Sequence, residues 1–183
     1  ALPILNTLWD RRYGFMNKAL TSPVSRSSIA LGKMLAISLI AALQASLILG
    51  IAFAIGVSFP NFIVIAPIMA IVILFSLGFS GISVMVAATA RSQETFWGII
   101  NFLGMPLFML SPALFPLELL PDWLAAAAKL NPVTYTVLLV RGLMTGVTEG
   151  VSSAMSIGII FAFVLAMVGL ASYVFTREVN KPF

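Results

Sequence analysis

Only six side chains in this 183-residue chain are carboxylic acids: Asp10, Glu94, Glu118, Asp122, Glu149 and Glu178. There is no His and no Cys. Zinc held by Cys and His, a thiol nucleophile, a His general base and haem ligation by His or Cys are therefore excluded. No Gly-x-Ser-x-Gly nucleophile turn occurs either. Gly32-Lys33 is not a phosphate-binding loop, because Ser27 stands where the first Gly is needed and Met34 follows the Lys. Any ATP-driven work would need an ATPase on another chain or domain. An intramembrane aspartyl enzyme needs paired carboxylates at bilayer depth, and Asp10 and Asp122 both fall outside the long apolar runs. No catalytic set emerges, and no metal site is expected.

What remains are residues suited to docking and packing. Trp9, Tyr13, Met16 and Leu20 follow i, i+4, i+7, i+11, with Asp10, Arg11, Arg12, Asn17 and Lys18 on the other faces. This is the pattern of an amphipathic helix, stopped at Ser22-Pro23. It suits either an interfacial anchor on anionic lipid or a docking helix for a soluble partner. Gln44 sits in the middle of an apolar run, where an amide usually bonds between helices. Ser76, Gly78, Ser80, Gly81, Ser83, Ala87 and Ala88 give a small-residue face for close packing, within the chain or across a dimer. Arg91 and Glu94 are spaced to pair on a helix end.

The elements that hold these residues follow from composition. Apolar residues make up 61% and charged residues 9%, against about 45–50% and about 25% in soluble domains. This excludes a soluble globular domain, a disordered chain and a disulfide scaffold. The net charge of +4 comes from basic residues set between apolar runs, which is the positive-inside bias of a membrane protein rather than a nucleic-acid surface. A spanning helix needs about 20 mostly apolar residues. Between Lys33 and Arg91 lie 57 uncharged residues, enough for two spans, over 29–57 and 62–90, joined by a turn at Ser58-Phe59-Pro60-Asn61. A third span is expected over 96–111, kinked at Pro106, and a fourth over 151–176. The fold class is all-α, a polytopic membrane protein forming one transmembrane domain over 1–183.

The stretch 112–150 is apolar but interrupted by Glu118, Asp122, Lys129, Arg141 and Glu149 and broken by Pro. Half-helices over 114–120, 123–130 and 134–144 are expected, forming a re-entrant or interfacial hairpin. Irregular backbone at that depth must be covered by protein or line a cavity. Arg11, Arg12, Lys18, Arg26 and Lys33 precede the first span, so that side is cytoplasmic. With four spans, eight basic residues lie inside and two, Lys129 and Arg141, outside. Counting the hairpin as a crossing leaves the same split, so its Pro and acid content, not charge, decides for a hairpin. The chain begins at Ala1 with no Met and no signal-peptide pattern, as expected of a protein whose N-terminal part is absent.

Two blocks carry a resemblance. The first is Asp10-Arg11-Arg12-Tyr13-Gly14-Phe15-Met16, with Thr21-Ser22-Pro23-Val24-Ser25-Arg26 and Leu31-Gly32-Lys33. The second is Phe115-Pro116-Leu117-Glu118-Leu119-Leu120-Pro121-Asp122-Trp123-Leu124, then Leu130-Asn131-Pro132-Val133-Thr134-Tyr135 and Arg141-Gly142. In this order and spacing the chain resembles type-2 ATP-binding-cassette (ABC) exporter permeases, the daunorubicin-resistance-type multidrug permeases above all. That family has six spans. The resemblance implies that this chain holds the last four, with Ala1 to Leu8 as the tail of the second.

It further implies a permease dimer in the plasma membrane, with two ABC ATP-binding subunits that hold ATP and Mg. No cofactor is expected on this chain, and its coupling helix and C-terminus would be cytoplasmic. Trp9, Asp10, Arg11, Arg12, Tyr13, Phe15, Met16 and Leu20 would form the coupling helix (9–23). Pro116, Leu117, Glu118, Pro121, Trp123, Asn131, Pro132 and Tyr135 would belong to the re-entrant outer gate. Gln44, Ser76 and Ser80 would face the cavity or the dimer. Family members often carry a Glu near the start of the coupling helix, or a Lys-Glu pair within it. Here Arg11-Arg12 and Asn17-Lys18 stand instead, so acidic contacts to the ATPase do not follow. The implied mechanism is alternating access for amphiphilic drug-, lipid- or glycolipid-like cargo. A non-transporting scaffold, a membrane-embedded enzyme and a channel are the competing classes.

Overall fold

The computed structural model describes residues 26–57, 61–90, 92–114, 117–146 and 151–179. All regular structure among them is helical. The long helices are α1 (Arg26–Ala54), α2 (Ile65–Thr89), α3 (Gln93–Met109) and α6 (Ser153–Val179), with the shorter α4 (Asp122–Lys129) and α5 (Pro132–Thr145) between α3 and α6. Two 3-10 turns, Phe62–Val64 and Leu117–Leu119, lead into α2 and α4. Segments Ser27–Ala54, Phe62–Thr89 and Ser153–Glu178 are each long and apolar enough to cross a membrane. The chain is a polytopic helical membrane protein.

Local chemistry sets the ends. The first span, expected to run to 57, stops as a helix at Ala54. Gly56 takes φ +90, and the Gly56 N–H donates to the Phe53 carbonyl (3.1 Å) while the Val57 N–H donates to that of Ala52 (3.0 Å). This is a Schellman closure, which needs a left-handed residue and so takes Gly. Asn61 opens the next element by accepting the Ile63 N–H on its side chain (3.1 Å). Ser92 caps α3 by accepting the Thr95 N–H (3.1 Å), so that helix starts three residues before the expected 96 and ends at Met109, two before 111. It continues through Pro106 for a further turn. Its 17 residues reach about 25 Å, less than the roughly 30 Å of hydrocarbon.

Helix α2 is central. It runs parallel to α6, since Gly78 meets Phe163 and Val164 while Gly81, one turn on, meets Met167. It runs antiparallel to α1. Ala30 and Met34 share a cluster with Val84, Ala88, Ala171 and Phe175, and at the other end the Phe53 and Phe62 rings are 5.7 Å apart. The small-residue face lies in these contacts: Gly78, Ser80, Gly81, Ser83, Ala87 and Ala88 are all buried. A Cβ on Gly81 would sit 2.9 Å from the Met167 carbonyl oxygen, so two backbones touch here. Small residues inside and large apolar residues outside is how helices associate when the solvent is lipid. Leu39, Leu43, Leu47 and Ile48 of α1 are each more than 60% exposed.

Candidate functional site

Three elements meet at a corner built from the Asn131-Pro132-Val133-Thr134-Tyr135 stretch. Helices α4 and α5 join there at 89°. The break between them has a local cause. Pro132 occupies the first turn of α5 and Asn131 caps it, its Oδ1 accepting the Val133 N–H (3.0 Å). Helix α4 carries Asp122 in its first turn and Lys129 in its last, matching the helix dipole.

The same stretch supplies the missing donors for two helix ends. The last carbonyls of any helix lack an i+4 partner. The Asn131 Nδ2 donates to the Leu107 carbonyl near the end of α3. The Thr134 Oγ1 donates to the Ala128 carbonyl (2.7 Å) and the Tyr135 hydroxyl to the Lys129 carbonyl (2.6 Å), both at the end of α4. Asn131, Thr134 and Tyr135 are buried, at 3%, 1% and 7% exposure. One asparagine thus caps α5 with its oxygen and holds α3 with its nitrogen. Farther along α5, the Arg141 Nη2 donates to the Pro112 carbonyl (2.7 Å), tying α5 to the segment that follows α3. The Tyr135 ring packs with Leu139, Ile160 and Val164, which seats α5 against α6.

The other sequence-derived candidates fall around this corner or apart from it. Leu117 is half-buried, Pro121 is exposed at the start of α4, and Trp123 is 73% exposed on α4. Pro116 and the side chain of Glu118 lie outside the described residues. So does the whole segment 9–23, with Trp9, Asp10, Arg11, Arg12, Tyr13, Phe15, Met16 and Leu20, and so does Arg91. Ser80 is buried at the α2 packing face and its hydroxyl bonds back to the Leu77 carbonyl (2.7 Å). Ser76 is half-buried and bonds to the Ile73 carbonyl (3.0 Å). Gly78 and Gly81 of the small-residue face pack against α6 of the same chain. Gln44, expected to bond between helices, is exposed on α1, and no bond joins it to another described helix. Thr134 adds a bond to this corner that the sequence does not single out, although its place beside the Asn-Pro cap is a visible signal. The Arg141 contact spans 29 residues and has no local signal. No cluster of three acids that could hold a metal occurs among the described residues.

Comparison with known proteins adds the decisive observation. The family model described as ABC-2 type transporter matches residues 4–145. The chain belongs to the ABC-2 type transporter family. That match covers α1 to α5 and the segment before α1. The chain is 31% identical over 138 residues to a protein of Cyanophora paradoxa provisionally named transport permease ycf38, covering 75% of this chain and 48% of that one. A protein of the same name from Pyropia yezoensis is 30% identical over 134 residues, covering 73% and 46%. A protein of Escherichia coli K12, provisionally named multidrug ABC transporter permease YbhR, is 26% identical over 133 residues, covering 72% and 35%. This ABC-2 chain therefore spans about half the length, or less, of the curated relatives it matches. No solved structure matches significantly.

Proposed function

We propose that this protein is the membrane-spanning permease subunit of an ABC transporter, with ATP and Mg bound by a separate ATPase. The observation that carries this reading is the family match, which runs without interruption from the 9–23 segment through the braced corner. In this reading Trp9, Tyr13, Met16 and Leu20 seat a coupling helix in the ATPase. The α4–α5 corner is a re-entrant hairpin on the outer side of the membrane and forms the exit gate of a permease dimer. Closure of the ATPase pair pushes the coupling helices and tilts the spans, and the dimer cavity opens outward past the hairpin. The cytoplasmic side carries the coupling helix and the C-terminus. The apolar walls suit amphiphilic drug-, lipid- or glycolipid-like cargo, because such walls give burial and little polar selectivity. The multidrug permease name of the Escherichia coli relative supports drugs among these cargoes.

The test is affinity purification of the complete protein from its native membrane in mild detergent, with mass spectrometry of what comes with it. An ABC ATPase should co-purify, and Met16→Asp or Tyr13→Asp should remove it while leaving the permease intact. An intact permease without an ATPase refutes the reading.

A further inference from the structure

The depth of the α4–α5 corner follows from both of its neighbours. Helix α6 starts soon after α5 ends, while Tyr135, near the start of α5, packs on Ile160 and Val164, so α5 runs back along α6. Ile160 and Val164 lie about 10 and 16 Å along α6 from Ser153. At the opposite side, α3 starts just after α2 ends, level with the end of the parallel α6. Leu107, which Asn131 holds, stands about 21 Å along α3 from that side, and Val164 about 21 Å along α6. The span Ser153–Glu178 has 26 residues, about 39 Å of helix, against roughly 30 Å of hydrocarbon. Even with all of the excess at its Ser153 end, the corner lies within the hydrocarbon thickness.

Helix α4 meets α5 at 89°, so it lies across the spans at this depth. Its open face has two edges. Trp123 and Leu130, 73% and 87% exposed, form an apolar edge. Asp122 and Lys129, both exposed, form a charged one, with the exposed Ala126 between the edges. The two charges differ in their surroundings. Asp122 sits in the first turn of α4, beside N–H groups that have no partner within the helix. Lys129 sits in the last turn, but the carbonyls there already accept bonds, that of Ala128 from Thr134 and that of Lys129 from Tyr135. The Lys129 ammonium pairs with no group among the described residues. Glu94 and Glu178 lie at the other end of the spans, and Glu118 lies in the turn that leads into the far end of α4. A lysine on a spanning helix stretches along the axis to reach the interface. One on a helix lying across the spans does not reach it that way. An ionised side chain at such a depth faces water and marks a pathway.

We propose that the open face of α4 lines a water-filled vestibule within the membrane and binds anionic amphiphilic cargo there. The Lys129 ammonium holds the acidic headgroup, and Trp123 and Leu130 take the apolar part. The charge selects the sign. An acidic group gains a charge-assisted hydrogen bond, whereas a cationic group at the same place meets like charge. Lys129 is then the residue that determines specificity. This narrows the cargo class of the transport reading and rests on it.

Two measurements on the complete protein test this. The first needs no transport. The chain holds no Cys, so Ala126→Cys places a thiol between the two edges, and its labelled peptide is identified by mass spectrometry. In phosphatidylcholine nanodiscs a membrane-impermeant methanethiosulfonate should modify it, while Leu43→Cys, in the middle of α1, stays unmodified. Short-chain fluorescent phosphatidylglycerol should protect the thiol better than the matching phosphatidylcholine, and Lys129→Gln should remove that difference. An unreactive Ala126→Cys overturns the proposal. The second measurement follows ATP-dependent movement of the two fluorescent lipids in proteoliposomes that hold the permease with its ATPase. The wild type should favour phosphatidylglycerol. Lys129→Gln should lower the ratio of phosphatidylglycerol to phosphatidylcholine movement about ten- to hundredfold, the value of a hydrogen bond to a charged group, and Lys129→Arg should retain it. Equal ratios in the wild type and Lys129→Gln, with both lipids moved, overturn the proposal and leave the transport reading standing. Protection of the thiol with no movement of either lipid makes this a resident-lipid site and also overturns the proposal. The transport reading itself fails on the co-purification result, whichever way the thiol reacts. Size-exclusion profiles confirm that the variants fold.

Discussion

Asn131 makes two kinds of bond at once, and one substitution separates them. Its Oδ1 caps α5 and its Nδ2 holds the Leu107 carbonyl, at 3% exposure. Asn131→Ala removes both. Loss of an N-cap costs about 1 kcal/mol. A buried carbonyl left without its donor costs about 1–3 kcal/mol more. The total is about 2–4 kcal/mol, a large share of the marginal stability of a domain. Asn131→Asp keeps the cap, because a carboxylate is at least as good an acceptor for the Val133 N–H. It also replaces the donor with a negative oxygen facing the Leu107 carbonyl. If the α3 bond carries the corner, Asp is at least as damaging as Ala. If the cap alone matters, Asp behaves like the wild type. Thermal unfolding of the purified complete protein in detergent, followed by the midpoint for each variant, separates the two. A wild-type midpoint for Asn131→Asp refutes the claim that this asparagine joins α3 to the hairpin.

Further outcomes follow from the glycine packing and from the Arg141 hydrogen bond. Gly81→Ala should cost more than Gly78→Ala in the same assay, by about 1–3 kcal/mol of overpacking. The new Cβ at Gly81 meets backbone, whereas the one at Gly78 meets chiefly the movable Phe163 ring. Gly98→Ala, with nothing within 4 Å, serves as the control and should be neutral or slightly stabilising. Arg141→Ala should destabilise by about 1.5–3 kcal/mol, the value of a bond from a charged donor. Limited proteolysis should then cleave within 110–121 sooner, and unchanged cleavage there would contradict the tie to Pro112.

The spans were legible because a membrane imposes a length and a polarity on each one. An uncharged run of 57 residues with Pro60 and Asn61 near its middle leaves few other arrangements. The cap at Asn131-Pro132 was legible for the same local reason. What joined it to Leu107 was not, because a hydrogen bond across 24 residues leaves no mark on either segment. The small-residue face announced close packing, but its partner, α6, begins more than sixty residues beyond it and carries no complementary signature. Apolar composition continues through Gly56 to Val57 while the helix stops at Ala54, so composition alone puts the end of α1 three residues late.

The attachment of α3 differs from that of its neighbours. Near its first turn Phe96 is fully buried among Val86 and Ala87 of α2 and Ala90 just beyond it. Near its last turn the Leu107 carbonyl is held by Asn131. Between these points Phe102 and Met105 stand 77% and 67% exposed. Among the described residues, α3 is thus held near its two ends and largely exposed between Ile100 and Leu107. The eleven helical steps from Phe96 to Leu107 set the distance between the end of α2 and the α4–α5 corner at about 16 Å. The helix itself sets the spacing of the two attachments.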